Sequence, residues 1–563
     1  MPGVRQLRTY ERAWLSKDLI AGLVIVGLLA PAGMAYAAAS GLPPQAGLYA
    51  TIVPLLVYAL FGPSRILVLG PDSSLTPLIA VAVLPLAASD PEQAVAVAGT
   101  LAVMAGLICI AAGLARFGFI ADLLSAPVRY GYLNGIAVTI IVSQAAKVCG
   151  FSVKGETLLG QLRQFVQGLD DGAFNGWAFG VGALSVVLIL GLRAISTRIP
   201  ATLLVVVAGI VVALAFDLVG RGVPLVGDLP RGLPTPKLPH VTWETSRGLL
   251  GAGLGIAFVS FADTSVLSRA MAQRRHEHTD ANHELIALGL ANVASGLFRG
   301  FPISSSNSRT PVAEAAGART QMTGVVAALA LVVIAVAVPS TFRHLPEASL
   351  AAIVIAAAIS LIDLPAMARL FRVRRSEFVL AMIAWLAVAV LGPVSGVVVA
   401  VALSVLNFLR LAWKPHTAEL VRVDGLKGYH DRSRHPEGRL VPGLLLYRFD
   451  APLFFANAHF FTEDLGRRIA ARESGLRCVI ITAEPITDID TTAADALGEL
   501  VDDLAERGIE LRFTEMKGTV RDRLDRYGVF QHVPPDNSAR TIGEAVKGYL
   551  RDYPSDWVDW EDR

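Results

Sequence analysis

Charge and cysteine are both scarce in this chain. Asp, Glu, Lys and Arg supply only 17% of its 563 residues, against about a quarter in an ordinary soluble protein. The 3 cysteines (Cys109, Cys149, Cys478) show no CxxC spacing and have no histidine beside them, so neither a disulfide framework nor a metal site is indicated. No GxxxxGK[ST] loop occurs, which argues against direct drive by ATP. No nucleophile–base pair stands out either, and no cofactor is expected, so the pattern is not that of an enzyme. The basic residues are scattered without a stripe and the net charge is only +2, so nothing points to nucleic acid.

What the chain has instead is apolar length. Hydrophobic residues make up 53% of it and the mean hydropathy is +0.55. The charge deficit ends near residue 415, which marks a domain boundary. Before that point, runs of roughly 20 apolar residues, enough to cross a bilayer, fall at about 18–40, 45–62, 92–116, 174–193, 199–219, 248–272, 279–298, 322–342, 376–392 and 394–412. Longer, interrupted segments at about 119–149 and 345–371 hold further crossings. The run Leu19–Ala39 is too long for the apolar part of a signal peptide, so it reads as the first span.

Two short stretches far apart in the chain resemble one another. Ser73-Ser74-Leu75-Thr76-Pro77 and Asn307-Ser308-Arg309-Thr310-Pro311 each follow a Gly/Pro break and each open a short apolar run. Paired interrupted helices in corresponding halves of a membrane chain point to a transport site. A helix beginning inside the membrane turns unpaired N–H groups and a positive dipole end toward the cavity, so two facing starts favour an anion. Counting these half-helices, at 73–88 and 305–318, gives fourteen spans, seven on each side of the polar loop 220–247. Seven is odd, so the second half enters the membrane inverted. A cytoplasmic N-terminus puts Arg65, Arg116, Arg193, Arg274, Arg275, Arg319, the cluster from Arg369 to Arg375, Arg410 and Lys414 on the inner side, with Arg299 as an exception.

After the polar linker, the tail alternates apolar runs (Leu444–Tyr447, Cys478–Thr482, Ile509–Phe513) with helical patterns at about 458–472, 491–507 and 517–526. That alternation predicts a small α/β domain with a mostly parallel sheet. The expected organisation is a cytoplasmic N-terminus (1–17), a first repeat (18–219), an extracytoplasmic loop (220–247), a second repeat (248–414), a linker (415–442), an α/β domain (443–553) and a tail (554–563).

The run Pro31-Ala32-Gly33-Met34-Ala35-Tyr36-Ala37, followed by Gly41-Leu42-Pro43-Pro44-Gln45-Ala46-Gly47-Leu48-Tyr49, Ser64-Arg65 and Gly70-Pro71, resembles the signature of the SulP family of sulfate permeases and related anion transporters. In the tail, Pro452-Leu453-Phe454-Phe455-Ala456-Asn457-Ala458 and Asp488-Ile489-Asp490-Thr491-Thr492 resemble that family's STAS domain. The resemblance covers about 10–550. It implies an α-helical integral membrane protein with a UraA-like core and gate in a 7+7 inverted repeat, elevator-type movement, a homodimer in the cell membrane, and secondary transport of a small anion.

Carried over by this resemblance, the substrate site comprises Ser73, Ser74, Ser306, Asn307, Ser308 and Arg309. A guanidinium near mid-membrane is costly and so marks function. Asp263, with Thr264 beside it, is an acid in an apolar span where the family often holds a residue linked to cation coupling. Burial disfavours the charged form of a carboxyl, which makes a reversible proton carrier plausible there. The bicarbonate branch places a hydroxyl one helical turn after such an Asp; here that place is Leu267, which favours H⁺ over Na⁺. An Asp263 that pairs structurally with Arg309 or another cation is the non-functional alternative.

Two positions depart from the family pattern. Ala32 replaces a Gln common near the anion, and Thr491 and Thr492 stand where soluble STAS regulators carry a phosphorylatable Ser. His276, His278 and His283 read as surface residues of a cytoplasmic loop. The leading function is a proton-coupled sulfate importer. A Na⁺-linked bicarbonate transporter or an anion exchanger is the runner-up, and a STAS-signalling membrane sensor is the alternative of another class.

Overall fold

Apolar helices dominate the chain as far as Trp413, and a mixed sheet follows them. The computed structural model describes all residues except 1–2, 4–9, 88–89, 120–124, 154–156, 196–199, 228–231, 234, 240, 278, 307–308, 338, 473–474, 530–537 and 563. His278, Asn307 and Ser308 therefore lie outside the described residues. Contacts divide the chain into two units, Met1–Val405 and Leu406–Arg563.

In the first unit the helices are α1 (Leu15–Ala39), α2 (Pro44–Phe61), α3 (Thr76–Val83), α4 (Pro91–Leu114), α5 (Ala126–Val148), α6 (Leu158–Asp170), α7 (Gly176–Ile195) and α8 (Ala201–Ala215). They continue with α9 (Trp243–Gly248), α10 (Leu250–Arg275), α11 (Ala281–Leu297), α12 (Arg309–Ala315), α13 (Met322–Ala337), α14 (Glu347–Ile359), α15 (Leu364–Val373), α16 (Arg375–Leu391) and α17 (Pro393–Trp413). Strand β1 (Leu69–Gly70) precedes α3 and strand β2 (Ser304–Ser305) precedes α12. Each half thus runs through the same order: two long helices, a two-residue strand, a short helix, then longer helices. Among the described residues, 7 helices are long and apolar enough to cross a membrane, and Ala201–Ala215 and Met322–Ala337 are shorter apolar helices. Leu184, Val187, Leu204, Val211, Leu329 and Val333 are exposed on them, as a lipid-facing surface requires.

Glycine lets the central helices touch. A Cβ on Gly106 of α4 would sit 2.6 Å from the Gly289 carbonyl of α11, and a Cβ on Gly289 equally close to the Gly106 carbonyl. With no hydrophobic drive between helices in lipid, such close backbone packing carries the association. Gly106→Val is expected to cost on the order of 1–3 kcal/mol through overpacking, read as a lower melting temperature of the detergent-solubilised protein. A second tie is polar. Asp18 of α1 accepts from the backbone N–H of Arg319 (2.7 Å) and Thr320 (3.1 Å) and from the hydroxyls of Thr320 (2.7 Å) and Thr323 (3.0 Å), capping the start of α13 from another helix.

The second unit holds a six-stranded sheet. Its strands are β3 (Thr417–Arg422), β4 (Tyr429–Asp431), β5 (Leu444–Phe449), β6 (Cys478–Thr482), β7 (Glu510–Thr514) and β8 (Ser538–Ala539), in the order β4-β3-β5-β6-β7-β8. The β5–β8 part is parallel, and β3 and β4 pair antiparallel. Side chains alternate between two cores. Leu445, Tyr447, Val479 and Ile481 face α18 (Ala458–Ala470), α19 (Thr491–Glu506) and α20 (Gly518–Arg526), while Leu444, Leu446, Cys478 and Ile480 meet α21 (Ile542–Asp552).

The segment expected to be a linker, 415–442, is therefore partly sheet, and the expected tail is not free. Arg422 of β3 is 3% exposed. It pairs with Asp559 (2.9 Å) and Glu561 (3.1 Å) and stacks on Tyr429 and Trp560. Arg422→Ala leaves those carboxylates without their cation, at a cost on the order of 3–5 kcal/mol; a lower melting temperature of the second unit's transition checks it. Acid acts on the same contacts. Partial burial works against the charge of Asp559, but hydrogen bonds from Arg422 and the Glu561 N–H, together with the charges of Arg422 and Arg439, outweigh it and hold the carboxyl below its ordinary range. Hydrogen bonds from Ser433 do the same for Asp431, and those from Arg448 and His416 for Asp450. A depressed folded-state value gives stability that is present above the unfolded value and lost as pH falls through the folded one. The second unit should thus weaken below roughly pH 4, the ordinary Asp range.

Candidate functional site

Strands β1 and β2 pair antiparallel, Leu69 with Ser305 and Gly70 with Ser304. This two-residue bridge holds the starts of α3 and α12 beside each other. Val68 N–H donates to Thr310 Oγ1 (3.1 Å), and Ser306 N–H to the Val68 carbonyl (3.3 Å). The bridge leans on α10, where Ser260 Oγ donates to the Ile303 carbonyl (2.7 Å) and Ser305 N–H donates to Thr264 Oγ1 (3.3 Å).

Arg309 is 3% exposed at the first position of α12. Its Nη2 donates to the Pro71 carbonyl at 2.5 Å and lies 3.8 Å from Asp72 Oδ2. Its Nη1 is buried with no hydrogen-bond partner among the described residues. Gly70 makes room for it, since a Cβ there would come within 3.2 Å of Nη1. The guanidinium lines a cavity of about 650 Å³ together with Ala32 and Tyr36 of α1, Arg193 of α7, Thr202 of α8 and Ser360. Arg193 and Arg309 are the charged residues of that lining among the described residues. Pro31, inside α1, removes a backbone donor beside this wall.

The residues expected in the site separate into groups. Arg309 lines the cavity. Ser73 and Ser74 are buried at the approach to α3, and Ser306 caps α12, its Oγ accepting from Arg309 N–H at 3.4 Å. Ser74 Oγ contacts Asp263 Oδ2 (2.8 Å) and Asp72 Oδ1 (3.0 Å). The carboxyl facing Arg309 is thus that of Asp72, while Asp263 joins the cluster through Ser74. Thr264 lies beneath β2 as a support for Ser305, fully buried.

Asp72 and Glu284 of this region are unmarked by the motifs, and Tyr36, though inside one of them, is not singled out there as a site residue. Asp72 directly precedes the first serine pair, and Tyr36 follows Ala32 by one helical turn. Glu284 of α11 accepts from Tyr58 (2.7 Å), from Ser268 (2.7 Å) and from Ser64, binding α2, α10 and α11 together. An acid inside an apolar helix, the signal that marks Asp263, marks Glu284 as well. Among the described residues no group of three or more His, Cys, Asp or Glu side chains gathers to hold a metal ion. In the second unit, Thr491 and Thr492 are exposed at the start of α19, which Asp490 caps through Ala493 N–H at 2.9 Å.

Paired strand-plus-short-helix elements around a buried cation, within a shell of apolar helices, define a multi-span membrane transporter fold. The sequence pattern of the Sulfate permease family matches residues 15–384 and that of the STAS domain residues 435–545. The chain belongs to the sulfate permease (SulP) family; it is a membrane transporter and not an enzyme. It is 40% identical over 555 residues to a probable sulfate transporter of Mycobacterium tuberculosis (strain CDC 1551 / Oshkosh), covering 98% of each chain. It is 29% identical over 569 residues to the chloroplastic sulfate transporter 4.1 of Arabidopsis thaliana, covering 98% of this chain and 82% of that one. Its fold matches the overall structure of SLC26A9 with a TM-score of 0.90 at 21% identity, over 98% of this chain and 93% of that one.

Proposed function

We propose that the chain is a secondary active transporter of a small oxyanion, sulfate first, taken up together with a proton. The observation that carries this is the Arg309 guanidinium, its Nη1 buried and unpartnered among the described residues, on a cavity whose described charged residues are both arginines. A guanidinium with N–H groups to spare is suited to a tetrahedral oxyanion, which it can bind through two parallel hydrogen bonds. The names of the Mycobacterium and Arabidopsis relatives favour sulfate. Asp263, two hydrogen bonds from the arginine's neighbour Asp72, supplies the group for coupling, with Thr264 beside it.

In this reading fourteen spans form two inverted repeats (18–219 and 248–414), and a core carrying the α3 and α12 starts moves against a gate in an elevator motion. The protein is a homodimer of the cell membrane, with both termini and the STAS domain (443–553) in the cytoplasm. The positive residues of the inner loops support that orientation. Uptake of labelled sulfate, bicarbonate and a dicarboxylate into proteoliposomes tests the substrate. Sulfate is expected to enter fastest and to be competed least by bicarbonate. Bicarbonate preference overturns the sulfate assignment, and no anion uptake at all favours the sensor.

A further inference from the structure

Ser74 Oγ touches two carboxyls at once, 3.0 Å from Asp72 Oδ1 and 2.8 Å from Asp263 Oδ2. A serine hydroxyl has one hydrogen to give. Asp72 Oδ1 also accepts from the Ser74 N–H at 3.0 Å, so the set is best satisfied when the hydroxyl donates to Asp72 and Asp263 carries a proton that it donates to Ser74 Oγ. With both carboxyls ionised, a lone pair would face a negative charge in an apolar interior, an arrangement that burial penalises. We infer that Asp72 and Asp263 share the coupling proton across Ser74, and that Asp72 thereby sets how much of the Arg309 charge is open to an anion. This rests on the proposed proton-coupled reading and names the device that performs it.

Charge counting gives the mechanism. One shared proton leaves the pair at −1, which cancels Arg309, whose Nη2 is 3.8 Å from Asp72 Oδ2. A second proton makes the pair neutral and leaves Arg309 as an uncompensated cation on the cavity. The dianion then meets two uncompensated cations of the lining, Arg309 and Arg193, instead of Arg193 alone. On the other side of the membrane the anion leaves, the pair gives that second proton back to water, and Asp72 returns to Arg309. No bond of the anion changes. Binding of proton and anion is therefore mutually favourable, by the same factor in both directions.

The surrounding groups leave the two carboxyls as the titrating pair. Arg309 from α12 and Tyr36 from α1 face Asp72, and Arg129 and Tyr132 from α5 face Asp263. The arginines stay protonated and tyrosines do not ionise near neutrality. Tyr132 is 2% exposed, and its hydroxyl has no hydrogen-bond partner among the described residues.

The test is sulfate binding to purified wild type and Asp72→Asn, followed by calorimetry from acidic to neutral pH, with proton uptake read by an indicator dye. Wild type is expected to bind about tenfold more tightly per unit fall in pH across the titration, taking up about one proton per sulfate. Asp72→Asn is expected to bind tightly with no pH slope and no proton uptake. A wild-type slope in Asp72→Asn overturns the inference, because Asp263 alone would then carry the proton. Should that variant not fold, Ser74→Ala reads the same link: a flattened slope supports the sharing, and an unchanged slope overturns it. A wild type that binds no sulfate at any pH contradicts the proposed function itself, whereas pH-independent binding by wild type leaves the anion reading standing and overturns only the sharing.

Discussion

Arg309→Ala is expected to abolish sulfate uptake in proteoliposomes while the protein still inserts and keeps its fold. Of the two arginines on the cavity, Arg309 is the one with a buried Nη1 that has no partner among the described residues, and its Nη2 rests on the Pro71 carbonyl at the mouth of the β1–β2 bridge. Truncating a desolvated cation costs a bound anion on the order of 3–4 kcal/mol, a roughly 100- to 1,000-fold weaker Kd. It also leaves the Asp72 carboxyl without its cationic neighbour, which adds a negative charge close to the site. Arg309→Lys is expected to retain part of the binding, because an ammonium restores the charge but not the planar fork. Wild-type uptake by the Ala variant at normal expression would sink the assignment of the site.

The second large effect belongs to Asp263. Asp263→Asn fixes a neutral side chain against Ser74 Oγ, where the carboxyl oxygen stands at 2.8 Å. Uptake driven by an inward proton gradient is expected to collapse, and the remaining movement to lose its pH dependence. Anion binding itself survives better than in Arg309→Ala, since removing a negative charge does not weaken an anion site directly. A sodium site predicts otherwise, with wild-type uptake that needs Na⁺ and ignores a pH gradient. A purely structural Asp263 predicts poor folding with coupling intact in the surviving fraction. Liposomes under separate H⁺ and Na⁺ gradients distinguish the three.

Much of the first unit was legible because the bilayer imposes a length: the apolar runs expected at 92–116, 248–272 and 394–412 are helices Pro91–Leu114, Leu250–Arg275 and Pro393–Trp413. Strand Cys478–Thr482 was legible for a related reason, since all five side chains are buried and the run is apolar up to its closing threonine. Strands β1 and β2 were not, because two residues carry no period and each exists only through a partner in the other half of the chain. Strands β3 and β4 were hidden by their polarity. Glu419 and Arg422 look solvent-exposed in sequence, yet Arg422 is satisfied by Asp559 and Glu561 of the tail. Within the site, serines and Arg309 stood out by motif. Asp72 was masked by the serines it precedes, although an acid at the start of a short apolar helix is itself a costly feature that asks for a partner.

Accumulation of labelled sulfate by wild-type proteoliposomes under an inward proton gradient, with Na⁺ absent and then added, tests the central claim most directly. Sulfate is expected to rise transiently above its equilibrium level, to do so without Na⁺, and to fall back when a protonophore is added. Uptake that only equilibrates, or that accumulates only with Na⁺, contradicts proton-coupled anion transport by this chain.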